Sequence, residues 1–489
     1  MSPTLIIVCI LIYFLCLIGI GYITSRKADN ASYFIGNKES VWYIVAFGLI
    51  GDSLSGLTYL SVPGSVKVAQ FNYFQIVLGY ILGYWAIAYF LLPLYYKHNL
   101  TSIYTYLDTR IGTISQRTGS FYFIISRLIG AGGRLFLASI VLQKFVFDGF
   151  GIPFPLTVAF IIILMLVYTL KGGIKTLVWT DMFQSTFLLL GVILTIIFIM
   201  QRLNWNLVDV YHQIKDSEYS KVFFWDWKAK SYFWKQFLGG AFIAICMTGL
   251  DQNMMQKNLS CKTLGEAQKN INSFSIIVVV VNIFFLALGA LLYLYASALA
   301  IPLPEKPDQL FPTLAFNYLG NAAGLVFIIG LTAATFNSAD SVLTTLTTSF
   351  YIDFLHKDET SSESNKKLRY FIHISFAVLL LFVVLAFGLF DDQSLVFTVL
   401  DIAGITYGPL LGLFIFGIFT KRTIKDILVP IISVISAGFC TYLYFSSIHN
   451  AAWLQGYKVG VELLIINGLI TFSGLMLLSA KNELNTKKN

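Results

Sequence analysis

Residues 40–68 read SVWYIVAFGLIGDSLSGLTYLSVPGSVKV, and residues 235–257 read KQFLGGAFIAICMTGLDQNMMQK. Each is an apolar segment of the length a helix needs to cross a bilayer, about 20 residues. Each is interrupted where a plain span would carry leucine: by Gly51-Asp-Ser-Leu-Ser-Gly56 and then Pro63-Gly64 in the first, by Met247-Thr-Gly-Leu-Asp-Gln-Asn253 in the second. Broken backbone at membrane depth is tolerable only where it is buried in protein or lines a wet cavity. One such break is equally well read as a kinked helix packed through small residues. A pair at matching places in two halves of a chain points to an inverted-repeat transporter with its site near the midplane.

Working outward from the two breaks, apolar runs recur along nearly the whole chain of 489 residues. Only 12% of the residues are charged, about half the share that clothes a soluble domain. The runs are continuous, unlike the ten-residue alternating strands of an outer-membrane barrel. We expect an all-α polytopic membrane protein of about thirteen helices, near 4–23, 40–68, 71–97, 119–147, 154–171, 181–202, 235–257, 271–299, 322–353, 370–390, 395–420, 427–446 and 458–479. Each break opens five helices. The expected layout is one transporter domain over 1–489: an extra helix at 4–23, repeats at 40–202 and 235–420, and two closing helices over 427–479.

The net charge of +8 is not a nucleic-acid signal. Basic residues gather in alternate short loops, such as Lys97/Arg110/Arg117, Lys257/Lys262/Lys269 and Lys421/Arg422/Lys425. By the positive-inside rule these loops are cytoplasmic, which puts the N-terminus outside and the C-terminus inside an inner membrane. The first apolar run lacks a basic stretch before it and reads as a retained helix, not a cleaved signal peptide. Five scattered cysteines and five scattered histidines form no metal-ligand spacing and no catalytic pair. An enzyme and an organic cofactor are therefore not expected. Nor is a sensor, since the chain ends about ten residues after its last expected span. The expected partners are a small solute, a coupling ion and the lipid bilayer, with no nucleic acid and no oligomer required.

Few charges fall inside the spans: Asp52, Asp181, Asp251, Asp340, Asp401, Arg127 and Arg134. Each costs about 2.5–3.5 kcal/mol on an isolated helix, so each must face a cavity or a partner. The stretch from Ala334 to Thr348 is dense in side-chain oxygen. Helical spacing sets Ala334, Asn337, Ser338 and Ser341 on one face. Most of the threonines need only backbone bonding; Asn337 and Asp340 ask for more. For Asp181 the alternative is a cap on the helix expected to begin there.

Three passages give the chain its likeness: Tyr168-Thr-Leu-Lys-Gly-Gly-Ile-Lys-Thr-Leu-Val-Trp-Thr-Asp181-Met-Phe-Gln184, Ala403-Gly-Ile-Thr-Tyr-Gly-Pro-Leu-Leu-Gly412-Leu-Phe-Ile-Phe-Gly417, and the oxygen-rich helix ending in Ser349-Phe-Tyr-Ile-Asp353. In these the chain resembles the sodium:solute symporter family, the group of the sodium/glucose, proline and sialic-acid symporters. The resemblance implies a LeuT-type core of two inverted five-helix repeats with Na+ as coupling ion. It implies a shared sodium site from the carbonyls of Gly51, Leu54 and Ala334 with the side chains of Asn337 and Ser338. Asn337 departs from the serine or threonine usual there, though an amide oxygen can still coordinate sodium. Some members have a second sodium site, which maps here onto Asp181, Asp340 and Ser341. Asp340 replaces a hydroxyl, and two carboxylates in one small site call for a cation between them or a proton on one. A proton-coupled cycle on the same fold is thus the nearest alternative.

The solute site is expected beside the breaks, with Asp52, Thr58, Gln75, Tyr80, Arg134, Asp251 and Gln252 as candidates. Asp251-Gln252 resembles a run in the sugar symporters. Arg134 matches in position the arginine that holds the carboxylate in the sialic-acid symporters, and guanidinium binds a carboxylate by a two-pronged pair. The expected cargo is accordingly a carboxylate-bearing solute (sialic acid, an amino acid or another organic acid) or a sugar. The competing reading pairs Arg134 internally with Asp52 or Asp251.

Overall fold

The structure, a computed structural model, describes residues 3–26, 30–357, 363–389 and 395–480. Besides short connecting helices, its apolar and break-forming helices in chain order are α1 (Pro3–Ser25), α2 (Trp42–Ser53), α3 (Gly56–Ala69), α4 (Tyr73–Lys97), α5 (Thr113–Phe150), α6 (Phe154–Leu170), α7 (Gly173–Leu203), α8 (Phe233–Gly249), α9 (Gln252–Leu259), α10 (Leu264–Ala298), α11 (Asn321–Phe354), α12 (Glu363–Phe387), α13 (Leu395–Phe419), α14 (Leu428–Ile448) and α15 (Leu463–Leu478). Helices dominate because nothing in hydrocarbon satisfies an exposed peptide group, so each segment must bond within itself. Counting α2/α3 and α8/α9 as one broken crossing each, the described residues supply the thirteen expected segments. Lys27, residues 358–362 of the turn over 357–369 and the lysine-rich tail lie outside the described residues.

Both breaks are real bends: α2 and α3 meet at 58°, α8 and α9 at 63°. Four unbroken crossings follow each. The centre of the bundle is α11, 78% of whose apolar window is buried, against 28% for the peripheral α14. It packs along α7 and touches α1, α2, α3, α5 and α9. Its threonines behave as expected, Thr332, Thr335, Thr345, Thr347 and Thr348 each donating to a carbonyl one turn back.

One boundary differs from the sequence reading. The expected loop between 171 and 181 is helical, and α6 runs into α7 with only Gly173 off the helical track, at φ +54°. Glycine is needed there twice over, because a Cβ would also lie 2.4 Å from the Tyr33 Cα. Asp181 therefore sits about two turns inside α7 and does not cap it.

Candidate functional site

The first break frees backbone carbonyls. Leu54 N still bonds Ile50 O at 2.7 Å, and the ladder resumes with Tyr59 N to Ser55 O at 3.0 Å. Between them Leu54 (ψ 70°) and Ser55 (ψ 178°) leave the helical region. The bonds from Ser55 and Thr58 that would occupy the carbonyls of Gly51 and Leu54 are missing among the described residues. This stretch lies against α11 at van der Waals distance. A Cβ on Gly51 would come 2.2 Å from Asn337 Nδ2, and one on Gly56 2.5 Å from Thr335 Oγ1. Gly51 N–H donates to Ser185 Oγ at 3.0 Å, and Asn337 Nδ2 donates to the Asp181 carbonyl at 3.1 Å. The amide is thereby oriented, while its Oδ1 is buried with no donor. Ser338 Oγ, one residue on, donates to Thr335 O at 3.2 Å, which leaves its lone pairs free. Ala334, Asn337 and Ser338 are all buried. Gly51 and Asn337 thus meet at one α2/α3–α7–α11 junction, with Leu54 three residues beyond Gly51 and with Ala334 and Ser338 on the same helix as Asn337.

A few residues away lies a second cluster. The Lys257 ammonium bonds an Asp52 carboxylate oxygen, Asp181 Oδ2 at 2.5 Å and Ser341 Oγ at 2.8 Å. The sequence reading assigned Lys257 to a cytoplasmic loop; the lysine is instead about 1% exposed, because the bend after α8 turns α9 inward and carries its last turn into the core. Asp181 and Asp340 are linked through this cluster: Asp340 accepts from Tyr168 OH at 2.8 Å, from Ser341 N at 2.5 Å and from Ser341 Oγ at 3.3 Å, and the cation beside Asp181 is the lysine.

Next to this cluster lies a cavity of about 70 Å³, lined among others by Asp52, Thr58, Tyr73, Tyr80, Arg127 and Arg134. Four of the seven expected solute residues line it: Asp52, Thr58, Tyr80 and Arg134. The other three do structural work elsewhere. Gln75 ties α4 to the 203–234 segment through Ser231 O (2.9 Å) and Phe224 N (3.2 Å). Gln252 ties α9 to Thr101 O (2.7 Å) and Ile103 N (2.9 Å). Asp251 caps α9 through Met254 N at 3.0 Å and is held by Arg127 Nε and by Tyr407 OH at 2.6 Å. The internal pairing weighed for Arg134 is therefore made by other groups, Lys257 for Asp52 and Arg127 for Asp251. Arg134 is 7% exposed, has no carboxylate partner among the described residues, and its Nε meets no acceptor. Asp401 pairs with Lys230 at 3.3 Å. The sequence reading missed Tyr73 and Tyr84, aromatic residues among many, and Lys257.

The model of the sodium:solute symporter family matches residues 33–426. The chain belongs to that family. This symporter is 24% identical over 479 residues to a sodium/sialic acid symporter of Aliivibrio fischeri, covering 96% of this chain and 93% of that one. It is 25% identical over 453 residues to a sodium-coupled monocarboxylate transporter 2 of Danio rerio, covering 90% and 71%. A solved Na+-coupled sialic acid symporter in a substrate-bound outward-open state superposes with a TM-score of 0.80 at 20% identity, covering 98% of this chain and 99% of that chain. The symporter is thus a multi-pass membrane transporter of LeuT-type fold, sodium-coupled as its family is, and not an enzyme.

Proposed function

We propose that this symporter imports a small carboxylate-bearing solute across the cell membrane by alternating access, driven by sodium held at the first break. The repeats at 40–202 and 235–420 rock about the midplane, with the N-terminus outside and the C-terminus in the cytoplasm. Sodium is coordinated by the carbonyls of Gly51, Leu54 and Ala334 with Asn337 Oδ1 and Ser338 Oγ. The freed carbonyls and the donorless amide oxygen support that set, being hard oxygen ligands with nothing else to bind. The ion ties α2/α3 to α11 and so favours the conformation in which the solute cleft is formed. A ligand shifts such an equilibrium only by its differential affinity for the two states. The membrane potential contributes about 2.3 kcal/mol per 100 mV only for each net charge the cycle moves.

The observation that carries the choice of solute is Arg134. Of the two arginines and one lysine around the cleft, Arg127 and Lys257 already hold carboxylates, and Arg134 holds none. A buried guanidinium without an anion is costly, and a solute carboxylate would discharge that cost. The aromatic walls of Tyr73, Tyr80 and Tyr84 suit the rest of a small ligand. Both relatives named above act on carboxylates by their names, which agrees; both are also sodium-coupled, which disfavours the proton-driven alternative. The test is thermal stabilisation of purified protein in sodium by sialic acid, short monocarboxylates, amino acids and neutral sugars. We expect a carboxylate to stabilise the wild type and Arg134→Gln to weaken it about tenfold or more, as for a lost charged hydrogen bond of about 1.5–3 kcal/mol. Intact affinity in Arg134→Gln, or a response to neutral sugars alone, overturns the anionic solute.

A further inference from the structure

We propose that Lys257 is a built-in second cation: its ammonium stands at the Asp181–Ser341 position in place of a second coupling ion, so that the symporter carries one sodium per cycle. The inference rests on the sodium reading of the Gly51–Asn337 junction given above, and extends it to stoichiometry. An ammonium has three donors. Here they meet three acceptors on three helices, Asp52 of α2, Asp181 of α7 and Ser341 of α11. All four side chains are buried to within about 2%, so water does not share the shell. Asp181 Oδ1 stays without a donor, but a metal ion drawn to it would lie beside a fixed positive charge. Asp340 meets the cluster only through Ser341, whose N–H and Oγ–H donate to its Oδ1, while its Oδ2 accepts from Tyr168 OH.

The tether distinguishes this cation from a dissolved one. Sodium bound between helices leaves into the cytoplasm and moves charge across the membrane; Nζ stays on α9 and returns with it. One sodium with one singly charged anionic solute makes the cycle electroneutral. Asp52 both lines the solute cleft and binds Nζ, so the tethered charge also sets the electrostatics of the cleft wall.

The test counts radiolabelled sodium bound per purified full-length protein at saturation, in wild type, Lys257→Ala and the double variant Lys257→Ala/Asp181→Asn. We expect one ion in the wild type, two in Lys257→Ala once the ammonium is gone, and one again in the double variant. Two ions in the wild type overturn the proposal, and so does a folded Lys257→Ala that still binds one. No ion in any of the three overturns the sodium site at the first break, and this inference falls with it. The wild-type count decides alone if the variants do not reach the membrane.

Discussion

The two broken crossings bend alike, by 58° and 63°, yet they settle their backbone debts in opposite ways. At the second break the protein satisfies what it has freed. Tyr95 OH donates to Gly249 O at 2.8 Å, Tyr104 OH to Leu250 O at 3.0 Å, Arg127 Nη2 to Met247 O at 3.3 Å, and Asp251 caps the helix that follows. At the first break the carbonyls of Gly51 and Leu54 lose their helical donors, and the nearest amide oxygen, Asn337 Oδ1, also lacks one. A buried polar group without a partner costs about 1–3 kcal/mol. The chain closes the second break with its own side chains and leaves oxygens without donors at the matching one.

The largest expected effect tests the closed break. Arg127→Gln removes the guanidinium from a buried pair and leaves Asp251 with Tyr407 OH and Met254 N. Breaking such a pair costs about 3–5 kcal/mol, so the sodium-free melting temperature should fall sharply while sodium still raises it. An unchanged melting curve would mean that this pair does not hold the break. Next comes the open break. In Gly51→Ala the new Cβ meets the Asn337 amide at 2.2 Å, so the amide must rotate away from the carbonyls. Sodium affinity, read from sodium-dependent stabilisation, should fall about a hundredfold, roughly 2.7 kcal/mol, with stability in sodium-free buffer much less affected. Retained affinity would detach Gly51 from the ion. The smallest effect is Tyr104→Phe, which deletes one donor at the second break. It should lower stability by about 1 kcal/mol and leave the sodium midpoint where it was; a shifted midpoint would show that the two breaks are one coupled unit.

Much of this was legible in the residues. The polar interruptions in the segments 40–68 and 235–257 mark both bends, since glycine, proline and a mid-span carboxylate cannot be hidden in a lipid-facing helix. The face of Asn337 and Ser338 follows from helical spacing. What misled was polarity taken at face value. Gln75 and Gln252 are as polar and as near the breaks as any ligand, yet each staples a helix to a loop. Arg127 and Arg134 stand two turns apart on one helix, where residue type cannot say which meets Asp251 and which meets the cleft. The boundary at Gly173 failed because a glycine pair reads as a loop, while the helix carries on past a single non-helical residue.

From the chain alone come the thirteen apolar segments, the two interruptions and the oxygen-rich stripe, because hydrophobic length and helical period are local properties that any short window reports. Which charge answers which came only with the tertiary structure. Lys257 looks like a loop lysine by every local measure, and it becomes the centre of the Asp52–Asp181–Ser341 cluster because the 63° bend swings the end of α9 inward. Pairing of charges depends on distances between segments far apart in sequence, and in a medium that solvates none of them those distances decide which groups remain free to bind.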